Sequence, residues 1–315
     1  LDTLPPLPED PDLDQGLYSY QQEAASKLLE LGGRGGLFLD MGTGKTRIAL
    51  VAATKLGCRR ILVVCPLSAG GIWTIEVRKL HLDLKVCNLR AGSLINRAQR
   101  LAHFDQGLVV VNYEACWREP LRSAILTWHP DIVVYDESHR LKHRSTRQSR
   151  FAHYLTGKVR CSLGLTGTPI SQGPEDLFSI YKAIRPEVFG TRWTDFEYKY
   201  LIKGGYLGYQ IIGYRNQDDL EQRLAGSSYR RKKEDILDLP AKVYTVIRVP
   251  LEPESQKKYE EMRKLAVTQV QGVDPETGRP VAGTALARIA LTNVLRLQQM
   301  ASGFVTLKDG VPVDL

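Results

Sequence analysis

Two short polar segments of the chain have the residue types of a site that binds and hydrolyses phosphoanhydrides. The first is Gly42-Thr43-Gly44-Lys45-Thr46, which follows an apolar run at residues 36–39. The second is Asp136-Glu137-Ser138-His139, which follows an apolar run at residues 132–135. Each run has the length of a strand, and in a parallel α/β sheet the carboxyl ends of the strands form the edge where ligands bind. The two segments together predict hydrolysis of a nucleoside triphosphate.

The first segment provides converging backbone N–H groups and a positive charge. Gly42 and Gly44 let the backbone curve where side chains would collide with an anion. Lys45 is expected to contact the outer phosphates, and the Thr46 hydroxyl is expected to ligate Mg²⁺. Position 39 is Leu, where the full phosphate-loop pattern has Gly, so an ordinary strand–helix turn stays open for this segment alone. The residues expected to line the loop are Met41, Gly42, Thr43, Gly44, Lys45 and Thr46.

The second segment supplies the acids that such a reaction needs. Asp136 is expected to hold Mg²⁺, directly or through water, and Glu137 to polarise the attacking water. Lys45 and the metal would neutralise the charge that develops during phosphoryl transfer. An Asp-Glu pair by itself favours a solvent-exposed turn, but its position downstream of the phosphate loop favours the catalytic interpretation. We therefore predict Lys45, Asp136 and Glu137 as catalytic residues, with Thr46 and Asp136 as metal ligands.

The elements that must position these residues follow from an alternation of apolar runs and helical patterns. The predicted strands cover residues 36–39, 61–65, 85–89, 108–111, 132–135 and 162–165, and the predicted helices include 46–55 and 94–103. The strands are almost entirely apolar, as expected when helices cover both faces of a sheet. The pattern predicts an α/β fold with a doubly wound parallel sheet.

Length and composition describe a globular protein with a large core. The chain has 315 residues, of which 43% are hydrophobic and 25% charged, which is more than one domain of ordinary size. No apolar run is long enough for a membrane span, and no signal pattern is visible, so we expect no membrane partner. Because the chain does not begin with Met, we interpret it as a fragment or a processed protein.

The cysteines indicate an intracellular location, in a cytoplasm or a nucleus. Five cysteines are scattered without metal-ligand spacing, and most lie in or beside apolar runs, which predicts reduced core thiols. A metal site is the alternative. The five are Cys58, Cys65, Cys87, Cys116 and Cys161.

The formal net charge of +8 is unevenly distributed. The first sixteen residues contain five acidic residues and no basic one, whereas basic residues cluster at 140–150 and 230–233. A positive body suits a polyanionic partner such as nucleic acid. A solvated basic face is the alternative.

We divide the chain into four regions. Residues 1–16 are predicted to be an acidic irregular tail, 17–190 the ATP-binding lobe, 191–240 a small helical protrusion with a basic junction, and 241–315 helices and a hairpin. A turn is predicted at Lys203-Gly204-Gly205, where core packing of the surrounding aromatic residues is favoured over base stacking. Amphipathic helices are predicted at 252–270 and 285–300, a loop at 274–280, and a hairpin with strands 304–307 and 311–313 around a turn at 308–310.

The motifs in combination resemble the superfamily-two helicases and, within them, the Snf-type ATP-dependent DNA translocases that include the chromatin remodellers. The resemblance runs from residue 17 to about residue 303. Its most specific part is Arg140-Leu141-Lys142, which directly follows the acidic segment. The matching segments are Tyr20-Gln21, Asp40 to Thr46, Val64-Cys65-Pro66-Leu67-Ser68 with Trp73, Val111-Asn112-Tyr113-Glu114, Asp136 to Lys142, Leu165-Thr166-Gly167-Thr168-Pro169-Ile170, and Tyr229 to Asp235 with Leu239-Pro240.

The resemblance implies a first RecA-like lobe that binds ATP and Mg²⁺ and moves along double-stranded DNA together with a second RecA-like lobe. It implies adenine contact by Gln21, with an ordinary surface-helix position as the alternative. It also implies coupling of ATP to DNA by His139, Thr166 and Thr168, which could otherwise be turn residues. The implied DNA-binding candidates are Pro66, Ser68, Asn112, Tyr113, Lys142, Arg230 and Arg231.

The chain departs from the family pattern at three points. Tyr18 stands where the family has Arg, and Ser138 replaces Ala or Gly. Downstream of Lys242 we find no Gln-x-x-Gly-Arg run and expect no second set of strands, so the chain is expected to end before the second lobe and to turn ATP over slowly. Two alternatives stay open: a strand-separating helicase, and a non-catalytic module that binds ATP or DNA.

Overall fold

The computed structural model describes residues 16–170, 173–205, 210–236, 250–265, 267–273, 280–286, 290–306 and 312–314. The chain divides into two compact units, Leu1–Leu239 and Pro240–Leu315. All but the last residue of the predicted acidic tail lies outside the described residues.

The first unit is an α/β structure in which helices alternate with strands. Its strands are β1 (Arg34–Leu39), β2 (Arg60–Cys65), β3 (Val86–Asn88), β4 (Gly107–Asn112), β5 (Ile132–Asp136), β6 (Cys161–Thr166), β7 (Leu201–Gly204), β8 (Gln210–Tyr214) and β9 (Ser228–Arg231). Its helices are α1 (Ser19–Glu30), α2 (Lys45–Lys55), α3 (Gly70–Lys79), α4 (Leu94–Ala102), α5 (Tyr113–Cys116), α6 (Leu121–Trp128), α7 (Arg147–Thr156), α8 (Glu175–Ile184), α9 (Trp193–Tyr200), α10 (Gln217–Ser227) and α11 (Lys233–Ile236). A 3-10 helix covers Ser138–Leu141.

Seven of these strands form one parallel sheet in the order β3-β4-β2-β5-β6-β1-β9. Consecutive residues of its strands enter different cores: Leu62 and Val64 pack on one face, whereas Ile61 and Val63 pack on the other. Burial on both faces explains why the strands are apolar without alternation. The prediction of a doubly wound parallel sheet is therefore confirmed, and all six predicted strands are present.

The seventh strand, β9, was not predicted. Its sequence, Ser-Tyr-Arg-Arg, is short and half basic, which favours a junction over a strand. The structure pairs it with β1 at the edge of the sheet. An edge strand has one open side, so it tolerates charged residues that would exclude it from the centre. The boundary between lobe and protrusion stays a prediction, but residues 228–231 lie within the sheet.

The region between α8 and β9 is less helical than predicted. Strands β7 and β8 form an antiparallel hairpin between α9 and α10, and Lys203 and Gly204 lie in β7 instead of in a turn. Two aromatic residues of α9 pack inward, as favoured from sequence, whereas Tyr198 is exposed. Phe196 and Tyr200 are buried, and the Phe196 ring contacts Phe178 and Phe189.

The second unit contains α12 (Pro253–Leu265), β10 (Val267–Val273), β11 (Pro280–Leu286), α13 (Ala290–Ala301), β12 (Phe304–Thr306) and β13 (Pro312–Asp314). The predicted helix 252–270 is wrong beyond Leu265, because the following segment pairs as β10 with β11. Its β-branched residues Val267, Thr268 and Val270 favour a strand. The predicted hairpin is confirmed by the pairing of β12 with β13.

Other predictions for this unit differ from the structure or concern residues that it does not describe. Besides the predicted hairpin, the antiparallel pair of β10 and β11 lies downstream of Lys242 and was not expected. Residues 285 and 286, predicted as helix, belong to β11. The predicted turn at 308–310 and all but the last residue of the predicted loop at 274–280 lie outside the described residues, and Pro280 begins β11.

All five cysteines are buried and free of disulfide bonds. Across the described ranges, none of the helices combines the length and apolarity that crossing a bilayer requires.

Candidate functional site

The register of three adjacent strands brings the two polar segments to one edge of the sheet. Strand β6 lies between β1 and β5. Phe38 of β1 pairs with Thr166 of β6, and Asp136 of β5 pairs with Leu165 of β6. Because the strands are parallel, the phosphate-loop segment and the acidic segment leave the sheet on the same side. The carboxylates of Asp136 and Glu137 act on the Lys45 ammonium, whose pKa they raise against the stronger opposing effect of burial.

The phosphate-loop segment has the backbone shape that its glycines predict. Gly42 and Gly44 have φ angles of +80° and +81°, in the left-handed region that favours glycine. A β-carbon on Gly44 would lie 2.4 Å from the Gln21 Nε2 atom. Helix α2 begins directly after Gly44, so its amino-terminal N–H groups lie at this loop.

The Lys45 side chain is buried beneath the loop. Its Nζ donates to the carbonyl oxygens of Leu39, at 2.8 Å, and Asp40, at 3.0 Å. An ammonium has three N–H donors, so one is left for a ligand. Burial is the main influence on this group and lowers its pKa, although the neighbouring carboxylates raise it. A partly desolvated positive charge interacts more strongly with an anion than an exposed one does.

Gln21 lies against the loop instead of on an open helix surface. Its side chain is 3% exposed, and its Nε2 donates to the Thr43 carbonyl oxygen at 3.1 Å. The same carbonyl accepts from the Tyr20 hydroxyl at 2.9 Å. The Gln21 Oε1 accepts from the Tyr18 backbone N–H at 3.1 Å, and the Tyr18 ring, 64% exposed, stacks parallel to the Tyr20 ring. Helix α1 is thus fastened to the phosphate loop through Gln21 and Tyr20.

Both carboxylate oxygens of Asp136 accept hydrogen bonds from the protein. Oδ2 accepts from the Trp73 indole Nε1–H at 3.0 Å, and Oδ1 accepts from the Glu137 backbone N–H at 3.0 Å. Burial raises the pKa of Asp136, and the bond from Trp73 lowers it. Sequence reasoning included Trp73 in a DNA-side motif and missed this contact, because nothing in the spacing of residues 73 and 136 signals it.

One ring nitrogen of His139 contacts both Glu137 and the end of β6. The His139 Nδ1 atom lies 3.2 Å from the Glu137 Oε2 atom and 3.2 Å from the Thr166 Oγ1 atom. The Thr168 backbone N–H donates to the Thr166 Oγ1 atom at 3.1 Å. The bond from His139 is the main cause of the lowered pKa of Glu137. The structure therefore brings together the three residues predicted for coupling and joins them to Glu137.

The residues at this edge fit a magnesium ion. The predicted ligands, the Thr46 hydroxyl and the Asp136 carboxylate, are hard oxygen donors, which Mg²⁺ prefers. Each Asp136 oxygen takes one hydrogen bond from the protein, and a carboxylate oxygen has a further lone pair for a ligand. Nothing in this donor set favours a softer metal.

The DNA-binding candidates fall into two groups on different sides of the sheet. Pro66 and Ser68 follow β2. Asn112 is the last residue of β4 and Tyr113 follows it, while Lys142 follows the 3-10 helix after β5. Arg230 and Arg231 lie in β9, which is separated from β4 by β2, β5, β6 and β1. The nucleotide segments follow β1 and β5, so the two groups flank them instead of forming one continuous surface.

Within the first group the side chains differ in exposure. Ser68 is exposed and lies before the Ala69 amino-terminal cap of α3, so it does not cap that helix itself. Asn112 is held by the Glu114 carboxylate at 2.8 Å and the Arg97 guanidinium at 3.1 Å. Tyr113 is 1% exposed, and its hydroxyl donates to the Asp136 carbonyl oxygen at 2.8 Å. We therefore drop the Tyr113 side chain from the DNA surface, because it supports the acidic segment from within the core.

The second group lies beside the phosphate loop. Arg231 pairs in register with Leu39, the last residue of β1, and its guanidinium lies 3.3 Å from the Glu23 carboxylate on α1. Its position places it with the nucleotide segment. Arg230 is exposed on the same edge strand.

Comparison with known proteins gives relatives across most of the chain. The model of the SNF2-related domain matches residues 20–299. The human DNA annealing helicase and endonuclease ZRANB3 is 28% identical over 268 residues, which cover 81% of this chain and 25% of that protein. The Schizosaccharomyces pombe ATP-dependent helicase fft1 is 30% identical over 218 residues, which cover 66% of this chain and 23% of that protein. The chain thus spans about a quarter of the length of these curated relatives.

A solved structure shares the fold. The Sulfolobus solfataricus SWI2/SNF2 ATPase core in complex with dsDNA has a TM-score of 0.60 and 23% sequence identity, and the match covers 95% of this chain and 60% of that one. The family match extends over most of the chain and includes Gln21, the phosphate-loop segment and the acidic segment. The chain belongs to the SNF2-related domain family.

Proposed function

We propose that this chain is the ATP-binding lobe of a Snf-type translocase that hydrolyses ATP to move along double-stranded DNA. The observation that carries the proposal is the shared edge at which Lys45, Asp136 and Glu137 meet. The hydrogen-bonded link from Glu137 through His139 to Thr166 supports a route by which the nucleotide site acts on neighbouring elements. A second RecA-like lobe is the proposed partner, and the proposed location is intracellular.

Some residues of the site bind the phosphates and offset their charge, whereas Glu137 positions the attacking water. The loop N–H groups and the Lys45 ammonium bind the phosphates, and Lys45 offsets the negative charge that develops during transfer. The pKa of Glu137 is lowered mainly by the hydrogen bond from His139, so its carboxylate stays ionised and accepts a hydrogen bond from the attacking water. Thr46 and Asp136 would hold Mg²⁺, which supplies further positive charge at the phosphates when bound.

The proposed DNA surface lies at the ends of β2 and β4. It consists of Pro66, Ser68 and Asn112, together with Lys142 beyond the 3-10 helix. The Arg140 guanidinium, two residues before Lys142, pairs with the Glu114 carboxylate at 3.0 Å. Contacts of this kind are made to the phosphates of the DNA backbone, so we expect the chain to bind DNA without preference for base sequence.

Nucleotide binding is tested by Lys45→Ala. We expect this variant to lose measurable binding of a fluorescent ATP analogue, because it removes the ammonium from the loop. Lys55→Ala, at the other end of α2, is the matched control and should bind like the wild type. Unchanged affinity of the Lys45 variant would remove the phosphate-loop assignment.

The DNA part is tested by binding to duplex DNA, single-stranded DNA and RNA at a series of salt concentrations. We expect duplex DNA to bind best, and Lys142→Ala to reduce the slope of log K against log salt by about 1. Lys158→Ala, before β6 at the opposite edge of the sheet, should leave the slope unchanged. Two relatives bear the word helicase in their names, so an unwinding assay is included, and strand separation would favour that alternative over translocation.

A further inference from the structure

The segment that follows β9 returns to the phosphate loop. Arg231 is in register with Leu39, and two residues later α11 begins at Lys233. The Lys233 backbone N–H donates to the Asp40 carboxylate Oδ2 at 2.7 Å. Asp40 is the residue between β1 and the loop, and it also accepts a hydrogen bond from Lys45 through its carbonyl oxygen. Lys45 and Lys233 therefore both donate hydrogen bonds to Asp40, directly before the loop.

The Lys233 side chain lies over the loop glycine. Its Nζ atom is 3.7 Å from the place where a β-carbon on Gly42 would lie. Gly42 has a φ angle of +80°, and it lies three residues before Lys45. The absence of a side chain at Gly42 leaves the loop backbone open to this ammonium and to any anion that the loop binds.

The charge balance of the site favours a second cation at this place. Lys45 uses two of its three donors on loop carbonyls, and the Asp40 carboxylate brings a negative charge to the loop that would repel a polyphosphate. The Asp136 and Glu137 carboxylates add further negative charge near Lys45. A second ammonium beside Gly42 would offset the charge of Asp40 and attract the phosphates.

We propose that the Lys233 ammonium binds a phosphate oxygen of the nucleotide held by the loop, as a second lysine beside Lys45. The ligand class is a nucleoside di- or triphosphate. The inference rests on the proposed nucleotide binding and adds to it a residue from β9–α11, a segment that sequence reasoning assigned to the DNA surface. It also separates Lys233 from its neighbour Lys232, which is exposed.

The test compares Lys233→Gln with Lys232→Gln in the full chain. Each removes one positive charge from the same short segment, and Lys233→Gln keeps the backbone N–H that bonds to Asp40. Calorimetric affinities for ADP, a non-hydrolysable ATP analogue and adenosine are measured for both variants and for the wild type. We expect Lys233→Gln to weaken ADP and ATP-analogue binding about 5- to 20-fold, as for loss of a charge-assisted hydrogen bond, without changing adenosine affinity. Lys232→Gln should stay within about twofold of the wild type.

The outcomes separate this inference from the function on which it rests. Equal effects of the two variants, or an equal loss of adenosine affinity, would overturn the role of Lys233 while leaving nucleotide binding in place. Loss of binding in Lys45→Ala together with wild-type binding in Lys233→Gln would also overturn that role. Absence of ADP binding by the wild type would overturn both proposals.

Discussion

At the scale of residues, the site depends on buried polar groups that hold one another. Asp136 is 8% exposed, and it is stabilised by donors from Trp73 and from its own neighbour Glu137. Tyr113 donates to the carbonyl oxygen of the same residue. A buried carboxylate without donors would be protonated or destabilising. The bond from Trp73 therefore opposes the effect of burial, which raises the pKa of Asp136, and the contacts hold the proposed metal ligand in position.

Substitution of Trp73 by Phe tests this arrangement. The Trp73 hydrogen bond lowers the pKa of Asp136, so its removal should raise that pKa. We expect the acid midpoint of Mg²⁺-dependent nucleotide binding to move to higher pH. A loss of about 1–3 kcal/mol in the free energy of unfolding is also expected, because the buried carboxylate loses a donor.

The control is Trp128→Phe. Trp128 is also buried, and its Nε1–H donates to the Asp105 carbonyl oxygen, away from the candidate site. The Trp128→Phe variant should have a lower free energy of unfolding, but the acid midpoint of its Mg²⁺-dependent nucleotide binding should not shift. An unshifted midpoint in the Trp73 variant would contradict the proposed role of the indole.

At the scale of elements, the ends of β5 and β6 are joined by side chains in addition to backbone pairing. His139 lies in the 3-10 helix that follows β5, and it contacts both Glu137 and Thr166. A movement of the β6 end would therefore change the contacts of the Glu137 carboxylate, which we propose orients the attacking water. Such a two-sided contact is what a coupling residue requires, although coupling itself stays a prediction.

Replacement of His139 by Ala should separate binding from turnover. The phosphate loop is untouched, so nucleotide affinity is expected within about threefold of the wild type. Turnover should fall about 10- to 100-fold, because Glu137 loses the hydrogen bond that lowers its pKa and orients it. His143→Ala, at an exposed neighbouring position, is the control. Wild-type turnover in the His139 variant would exclude the coupling role.

At the scale of the whole molecule, the seven-stranded sheet of the first unit has a hydrophobic core on each face, and pairs of helices pack over each core. Helices α7 and α8 are joined by His153, whose Nε2 atom lies 2.9 Å from the Ser179 carbonyl oxygen. The pKa of His153 is lowered to about 4, mainly by burial and also by the Lys182 charge, while the bond to Ser179 raises it. This histidine is therefore neutral in the folded protein over a range in which a free histidine is protonated.

The folded protein should lose stability in acid for this reason. Below the unfolded pKa of about 6.5 the unfolded chain binds a proton that the folded chain does not bind until about pH 4. The free energy of unfolding should therefore fall as pH is lowered through that window. Urea unfolding at pH 7 and pH 5 should show a smaller fall for His153→Gln than for the wild type or His143→Gln. An equal fall in the free energy of unfolding between pH 7 and pH 5 for all three proteins would contradict this account.

Turnover of the chain as given should be slow. An arginine supplied by another lobe can be worth ~10³–10⁵ in rate, and residues beyond Lys242 contain no Gln-x-x-Gly-Arg run. We expect nucleotide binding with ATPase activity far below a typical kcat of about 10 s⁻¹, even with saturating duplex DNA. A DNA-stimulated rate near that value would contradict the proposed need for a second lobe.

The amino-acid sequence by itself determined six of the seven strands of the parallel sheet and the two chemical segments. The reason is local: apolar runs buried on both faces and Gly-Lys-Thr or Asp-Glu at a strand end are readable without knowing what packs against them. It did not reveal β9, because Ser228–Arg231 becomes a strand only by pairing with β1 at the sheet edge. It also extended a predicted helix over residues 267–270, the first part of β10, because the β-branched residues there gain a partner only in β11.

Only the tertiary structure decided which side chains meet. Trp73 and the Asp136 carboxylate are joined by a hydrogen bond although they lie far apart in the sequence, and the buried Tyr113 hydroxyl donates to the backbone carbonyl oxygen of Asp136. Lys233 reaches the phosphate loop from a distant segment of the chain, since strand order, and not sequence order, sets the neighbours at a sheet edge. Residue types reveal the chemistry that a chain can perform, whereas long-range packing selects the residues that perform it.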